Sequence, residues 1–172
     1  GGPDALEKAL RDLCSQVEDS VRAGTNIIVL SDRAGEGEVP IPSLLSLGAV
    51  HNHMIQAGIR MLADIVMEAG DAITPHDFAT LVGYSASGIY PYMAHETIER
   101  MAEKGAIDVS AEQGVANYDK AVVSGIVSIM SKMGISTVQG YHSAQIFEIV
   151  GLSDEVVSTC FEGTVSRVGG LG

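Results

Sequence analysis

Apolar side chains recur at three- and four-residue intervals along much of the chain, which is the spacing of an amphipathic helix. The first such segment runs from Asp4 to Ala23 and is followed by Gly24, a common helix stop. Thr74-Pro75 supplies a start signal, because Thr is a good N-cap and Pro fits the first helical position. The full pattern predicts helices over residues 4–23, 43–58, 74–82, 92–104, 117–133, 142–150 and 154–161.

Short apolar runs separate several of these helices, at residues 26–30, 63–70, 87–90 and 135–139. A continuous run such as Ile27-Ile28-Val29-Leu30 is typical of a strand that is buried on both faces in a parallel sheet. Because strands alternate with helices, the pattern predicts right-handed βαβ units. The predicted fold class is α/β, with βα units around a short parallel sheet. The sheet is incomplete and barrel-like, since a closed barrel of this kind needs eight strands.

Composition narrows the class of protein. The chain has 172 residues, of which 46% are hydrophobic and 19% charged, as in a globular domain. Its net charge of −12 disfavours binding to nucleic acid, and no apolar stretch is long enough for a membrane span. Only two cysteines occur, which predicts a cytoplasmic protein without disulfides. The opening Gly1-Gly2-Pro3-Asp4 has no initiator Met and no secretory signal, which suggests an excised piece.

Ser31-Asp32-Arg33 lies at the carboxyl end of the first predicted strand, where α/β folds place their sites. An Asp and an Arg there would orient a substrate or bridge two domains. The simpler interpretation is an Asx-type turn followed by an ion pair. Lys132 has two readings as well: its charge suits a helix C-terminus, and the same charge suits an anionic ligand or a neighbouring domain.

Histidines offer weaker candidates. His51 and His53 are two residues apart on a predicted helix, so their rings point to different faces and a metal hydrolase that uses them with His76 is disfavoured. Tyr141-His142-Ser143 contains a hydroxyl beside an imidazole, but no Gly-x-Ser-x-Gly elbow occurs. Glycine-rich phosphate motifs are absent from the sequence as well.

A series of short blocks gives the chain a more specific likeness. The blocks, in order, are Ile28–Arg33, Gly48–His51, His76–Ala79, Tyr90–Tyr92, Met130–Thr137, Gln145–Glu148, Gly151-Leu152 and Gly163–Arg167. In this order they resemble the glutamate synthase large chain, and they cover nearly the whole sequence. The likeness is to the C-terminal part of the central domain, on its way toward the FMN-binding domain.

That resemblance implies a parent enzyme that converts glutamine and 2-oxoglutarate into two molecules of glutamate. Such a chain carries a glutaminase domain with an N-terminal Cys, a central domain, an FMN barrel with a 3Fe-4S cluster and a β-helix. Ammonia passes between the active sites through a tunnel, and electrons come from NADPH, NADH or ferredoxin, in some cases through a small electron-donating subunit. Residues 106–116 read as a mixed polar connection and an internal boundary, which divides this chain into a barrel-like βα segment, 1–105, and an extension toward the FMN domain, 106–172.

The same resemblance implies that this piece carries no catalytic residue and no cofactor. At the place where an FMN barrel holds the flavin phosphate, the chain reads Met67-Glu68-Ala69-Gly70-Asp71, in which carboxylates would repel a phosphate. The expected roles are those of a spacer and of a wall for the ammonia tunnel. Tunnel or interdomain contacts are expected at Ser31, Asp32, Arg33, Lys132 and Ser136. The alternative is a free-standing ligand-binding module or a degenerate barrel enzyme, and self-association is expected if apolar interface is exposed.

Overall fold

Helices and parallel strands alternate along the chain in this computed structural model, which describes residues 4–172. The elements are α1 (Ala5–Arg22), β1 (Ile27–Ser31), α2 (Ser43–Gln56), β2 (Asp64–Glu68), α3 (Pro75–Gly83), β3 (Gly88–Tyr90), α4 (Tyr92–Glu103), α5 (Ala111–Met133), α6 (Val138–Tyr141), β4 (Glu148–Leu152), α7 (Asp154–Cys160) and β5 (Val165–Leu171). The interpretation of the opening residues concerns Gly1 to Pro3, which lie outside the described range. No helix between residues 4 and 172 is both long and apolar enough to cross a bilayer.

The first sheet has the strand order β1-β2-β3, and both pairs of neighbours are parallel. Side chains alternate along β1, so that Ile28 and Leu30 are buried while Ile27 and Val29 are exposed. Helix α2 packs against β1 and β2 on the buried face. The fold is therefore α/β with short parallel sheets that do not close into a barrel, as the sequence pattern predicts. The expected burial of β1 on both faces is wrong.

The core lies between this sheet and the helices. Leu47, Val50 and Met54 of α2 are fully buried, as is Ile65 of β2. Helix α1 adds one buried stripe, which consists of Leu10, Cys14, Val17 and Val21. Leu10, Val17 and Val21 are among the apolar positions that recur at helical spacing in the sequence, because a stripe at this spacing must be removed from water.

Helix α5 is the longest element and packs on α3 and α4. It starts at Ala111, six residues before the predicted start, because the Ser110 hydroxyl caps it by accepting a hydrogen bond from the Gln113 N–H at 3.2 Å. Residues 111–116 are therefore helical, which corrects the prediction of a polar connection over 106–116. The helix ends as predicted at Gly134, which has the left-handed φ of 71°.

Beyond α5, two of the secondary-structure predictions from the sequence pattern are wrong. Residues 135–139 were predicted as a fourth strand, but Thr137 caps the short helix α6 by accepting from the Gly140 N–H at 3.1 Å. Residues 142–150 were predicted as a helix, but Ser143 and Gln145 have positive φ values and β4 begins at Glu148. The first sheet therefore has three strands instead of four.

The C-terminal residues form a second sheet, in which β4 and β5 are parallel and α7 connects them. Gly169 and Gly170, near the end of the chain, lie in β5. Gly170 approaches the backbone of Gly151 so closely that an added Cβ would lie 2.2 Å from the Gly151 carbonyl oxygen. Glycine is required there because the two strands come together at a register shift.

Candidate functional site

The carboxyl end of the first sheet is held together by Asp32, which follows β1. Its carboxylate accepts hydrogen bonds from the backbone N–H of Gly70, with oxygen distances of 2.9 and 2.8 Å. The Ser43 hydroxyl lies 3.4 Å from the same carboxylate. Gly70 follows β2 and Ser43 begins α2, so one side chain joins three elements at the edge where α/β folds place their sites.

Arg33 adds an ion pair network beside Asp32. Its Nε lies 2.8 Å from Glu68, and its terminal nitrogens lie 3.2 and 3.3 Å from Glu96 of α4. The guanidinium also stacks on the Tyr92 ring, 3.7 Å from the centroid. The Ser31 hydroxyl, 2.5 Å from Glu68, and the Arg33 charge lower the pKa of that carboxyl. Arg33 is thus neutralised by the chain's own carboxylates.

A second carboxylate, that of Asp71, accepts from the Ser43 N–H at 3.0 Å, at the start of α2. Backbone amides at such places bind phosphate groups in other folds. Here Asp32 takes the amide of Gly70 and Asp71 takes the amide of Ser43. The residues at this end therefore do not fit a flavin phosphate.

The cysteines do not fit an iron–sulfur cluster either. Such a cluster is held by several thiolates, and this chain has only Cys14 and Cys160. Both are buried, and burial raises the pKa of each thiol, that of Cys160 to about 11. Thiolate formation is therefore disfavoured at both positions.

Another polar cluster lies where α2 meets the segment after α6. The Arg60 Nε donates to His51 Nδ1 at 2.9 Å, and the other guanidinium nitrogens donate to the carbonyls of Ala63 and Ser85. His51 Nε2 lies 3.4 Å from the Ser143 hydroxyl, which lies 3.0 Å from the Ser85 hydroxyl. A cavity of about 140 Å³ borders this cluster.

The direction of these hydrogen bonds excludes a Ser–His nucleophile pair. Arginine only donates, so His51 Nδ1 must accept and the proton of the neutral ring sits on Nε2. A histidine in that form cannot take the Ser143 proton at Nε2, which a serine nucleophile requires. Burial, with the nearby Arg60 charge, lowers the pKa of His51 to about 4. The cluster is therefore a clamp between two parts of the chain.

Two further histidines, His53 and His76, are engaged separately. His53 Nε2 lies 2.6 Å from Glu18 of α1, on the other side of α2 from the His51 cluster. His76 packs edge-on against the Phe147 ring. The part of the chain that the structure describes contains no group of three or more side chains arranged to hold a metal ion. His51 and His53 diverge, as their spacing predicts.

Lys132 and Ser136 lie apart from the sheet end. Both are exposed, Lys132 in the last turn of α5 and Ser136 in the turn before α6. Across residues 4–172, no hydrogen bond or ion pair joins either residue to Ser31, Asp32 or Arg33. Their contacts with a tunnel or a neighbouring domain stay a prediction.

Sequence reasoning did not find several residues that complete these clusters. Glu96 and Tyr92 flank Arg33, Asp71 caps α2, and Arg60 fixes His51. Asp71 was recognised in the sequence as a carboxylate at the flavin-phosphate position, but its hydrogen bond with Ser43 was not predicted. Glu96 gave no local signal, because its partner Arg33 lies 63 residues away in the sequence.

The fold and these clusters define an α/β domain in which the carboxyl end of the first sheet is filled by the chain's own side chains. The chain belongs to the glutamate synthase central domain family, whose model matches residues 2–153. It is 44% identical to the glutamate synthase [NADPH] large chain of Bacillus subtilis and 46% identical to the ferredoxin-dependent glutamate synthase, chloroplastic, of Spinacia oleracea. It is 40% identical to the glutamate synthase [NADH] of Schizosaccharomyces pombe.

These alignments cover 96%, 99% and 95% of this chain, respectively. They cover only 11%, 11% and 8% of the three relatives. The chain thus corresponds to a small central part of a much larger enzyme, which confirms the likeness drawn from its sequence blocks.

Proposed function

We propose that this chain is a structural part of a glutamate synthase large chain, where it separates the glutaminase site from the FMN site and lines part of the ammonia route. The parent reaction would convert glutamine and 2-oxoglutarate into two glutamates, with FMN and a 3Fe-4S cluster bound by other domains. The names of the relatives support NADPH, NADH or ferredoxin as the electron donor. A small electron-donating subunit and a cytoplasmic location belong to the same proposal; the plant relatives are named chloroplastic.

One observation carries this assignment. The two backbone amides that would bind an anionic ligand, those of Gly70 and Ser43, are already occupied by Asp32 and Asp71. An enzyme of this fold class keeps that edge open for its substrate. A domain that fills it with internal hydrogen bonds gains rigidity instead, which suits a spacer between two active sites.

The charges at this edge also suit a wall beside ammonia. An unpaired carboxylate would stabilise the ammonium ion over ammonia, and ammonium does not act as a nucleophile. Arg33 pairs with Glu68 and Glu96 and so neutralises their charge. Carboxylates paired in this way would favour ammonium less than free carboxylates.

The test is the coupling of the two half-reactions in the full-length enzyme. We expect Lys132→Ala, Ser136→Leu and Asp32→Asn to raise the ratio of glutamine hydrolysed to glutamate formed, because ammonia leaks where the wall is broken. Lys120→Ala on the exposed side of α5 and Ser15→Leu on α1 are the matched controls. Unchanged coupling in all three test variants would contradict the proposal.

The second candidate function is small-molecule binding by the chain itself. It is supported by the cavity beside His51, whose walls include Tyr84, Phe147 and Phe161. A flavin spectrum of the purified protein, or a thermal shift with FMN, would favour it. A colourless protein whose melting temperature does not respond to FMN would favour the structural role.

A further inference from the structure

One edge of the first sheet is open. The Asp64 N–H donates to Asn26 at 3.0 Å and the Asp32 N–H donates to Glu68 at 3.2 Å, so even-numbered residues of β1 bond to β2. In a parallel pair the odd-numbered residues then direct their N–H and C=O groups away from β2. These residues are Ile27, Val29 and Ser31, and their backbone groups have no backbone partner within residues 4–172.

Beside this edge lies a groove of about 430 Å³. Val29 and Ser31 of β1 form one wall, and Ala9, Leu13 and Gln16 of α1 form another. Helix α1 therefore has two contact surfaces. Its buried stripe packs on α2, whereas Ala9 and Leu13, which are half-buried, line the groove.

The topology indicates what fits there. Each later helix of the sheet connects a strand to the parallel strand beside it, as α2 connects β1 to β2. Such connections are right-handed and place the helix over both strands. Helix α1 leads into β1 in the same way, so a strand that precedes α1 would lie in the groove, parallel to β1.

We propose that the free edge of β1 receives one parallel strand, contributed by the polypeptide that enters α1 in the full-length large chain. The proposal rests on the proposed function, since it takes the chain to be a part of that larger protein. The relatives are about nine times longer than the aligned segment and have the polypeptide to supply the strand. The strand is short and apolar on the side that meets Ala9 and Leu13.

A second copy of this chain is a poorer occupant. Each copy carries a net charge of −12, which opposes self-association. A two-fold axis through the β1 edge would also pair the strands antiparallel, and the helices α1 of both copies would then compete for the same space. The two occupants are distinguishable by their dependence on protein concentration.

Hydrogen exchange tests the proposal at single amides. The 172-residue chain is compared with the same chain lengthened upstream by about 30 residues of the parent gene. In the short form we expect the amides of Ile27 and Val29 to exchange freely, while that of Leu30, which bonds to β2, is protected. In the long form the Val29 amide should slow by at least about a hundredfold, because it then bonds to a neighbouring strand.

Two substitutions in the long form identify the contact. Val29→Pro removes the backbone N–H that points away from β2, and it should leave the pairing with β2 intact because Pro is tolerated on edge strands. It should abolish the protection of the Ile27 amide from exchange. Val29→Thr retains the N–H and is its control. Ala9→Glu should have the same effect by placing a charge in the groove, whereas Ser15→Glu on the exposed side of α1 should not.

Free exchange of Val29 in both forms would overturn the proposal. Protection in the short form that grows with protein concentration would overturn it too, in favour of a second copy. Protection in the long form, together with unchanged ammonia coupling in the variants of the previous section, would leave the strand in place and refute the proposed function alone.

Discussion

The two sheets of this protein differ in what supports them. In the first, β2 contributes Ile65 and Met67 to the core, and both are almost fully inaccessible to solvent. In the second, Val150 of β4 is 70% exposed and Leu171 of β5 is 81% exposed. Isolated two-stranded sheets are only marginally stable. The first sheet is thus supported by its own helices, whereas the second depends on the packing of α7 against α2.

The largest expected difference in stability is between a substitution in the buried β2 and one in the exposed β4. Ile65→Ala should lower the free energy of unfolding by about 2 to 5 kcal/mol, because it removes buried methyl groups and leaves a cavity. Val150→Ala, the corresponding change in the second sheet, should cost less than about 0.5 kcal/mol. Urea denaturation of both variants measures the two values. Equal losses would mean that β4 is as well buried as β2, and the comparison would fail.

A pH effect is expected where the two regions meet, at the His51 cluster. The pKa of His51 is lowered to about 4, mainly by burial and further by Arg60 and His142. The unfolded chain, with a pKa near 6.5, therefore binds the proton first as the pH falls. Stability is fully present above pH 6.5 and is lost progressively toward pH 4, by up to about 3 kcal/mol.

Denaturation curves between pH 7 and 4 measure this loss. His51→Gln should flatten the dependence, since the variant has no ring to protonate; His142, whose pKa is also lowered by burial, would supply a residual slope. His53→Gln, on the opposite side of α2 against Glu18, is the control and should keep the full dependence. A flat profile in the unsubstituted protein would show that the clamp does not depend on a neutral His51.

The sequence predicts those elements of the fold whose start and stop signals are local. Local signals, such as the Thr74-Pro75 start and the Gly134 stop, placed helices correctly because they act within one helical turn. The run Ile135 to Val138 has strand propensity, yet Ile135 packs in a small cluster with Met130 and Tyr141. That tertiary contact, which no local pattern contains, decides the conformation.

The candidate site shows the same limit. Ser31, Asp32 and Arg33 were found because residues that follow a parallel strand share one edge of the sheet. Their partners Glu68 and Glu96 lie 35 and 63 residues from Arg33, so only the fold brings them together. The contact of Asp71 with Ser43, 28 residues away, was missed for the same reason.

Gly48 tests whether the second sheet depends on α7. An added Cβ at Gly48 would lie 2.3 Å from the carbonyl oxygen of Cys160 and 2.8 Å from the Phe161 ring. Overpacking of this kind costs up to about 3 kcal/mol, and the roughly 1 kcal/mol that Ala gains over Gly in a helix offsets part of it. Gly48→Ala should therefore lower stability by up to about 2 kcal/mol and speed proteolysis after residue 147.

The control for this prediction is Gly169→Ala in β5, since no atom lies within 4 Å of a Cβ placed there. Faster cleavage confined to β4, α7 and β5 would show that these elements detach from α2 as a unit. Loss of the whole fold at once in Gly48→Ala would instead mean that the two sheets unfold together.

The smallest effects are expected from the two ion pairs that cross the sheets. Arg33 bonds to Glu68, stacks on Tyr92 and reaches Glu96, whereas Arg167 has Glu148 as its ion-pair partner, at 2.7 Å, and its side chain is 70% exposed. Isolated surface pairs contribute about 0 to 1 kcal/mol, and stacking on an aromatic ring adds about 0.5 to 1 kcal/mol. Arg33→Met should therefore lower the melting temperature measurably and Arg167→Met hardly at all. Both losses are measured by thermal unfolding at low and high salt. If Arg167→Met is the more damaging variant, the ion pair of Arg167 with Glu148 stabilises the second sheet more than its exposure implies. That sheet would then depend less on α7 than the packing indicates.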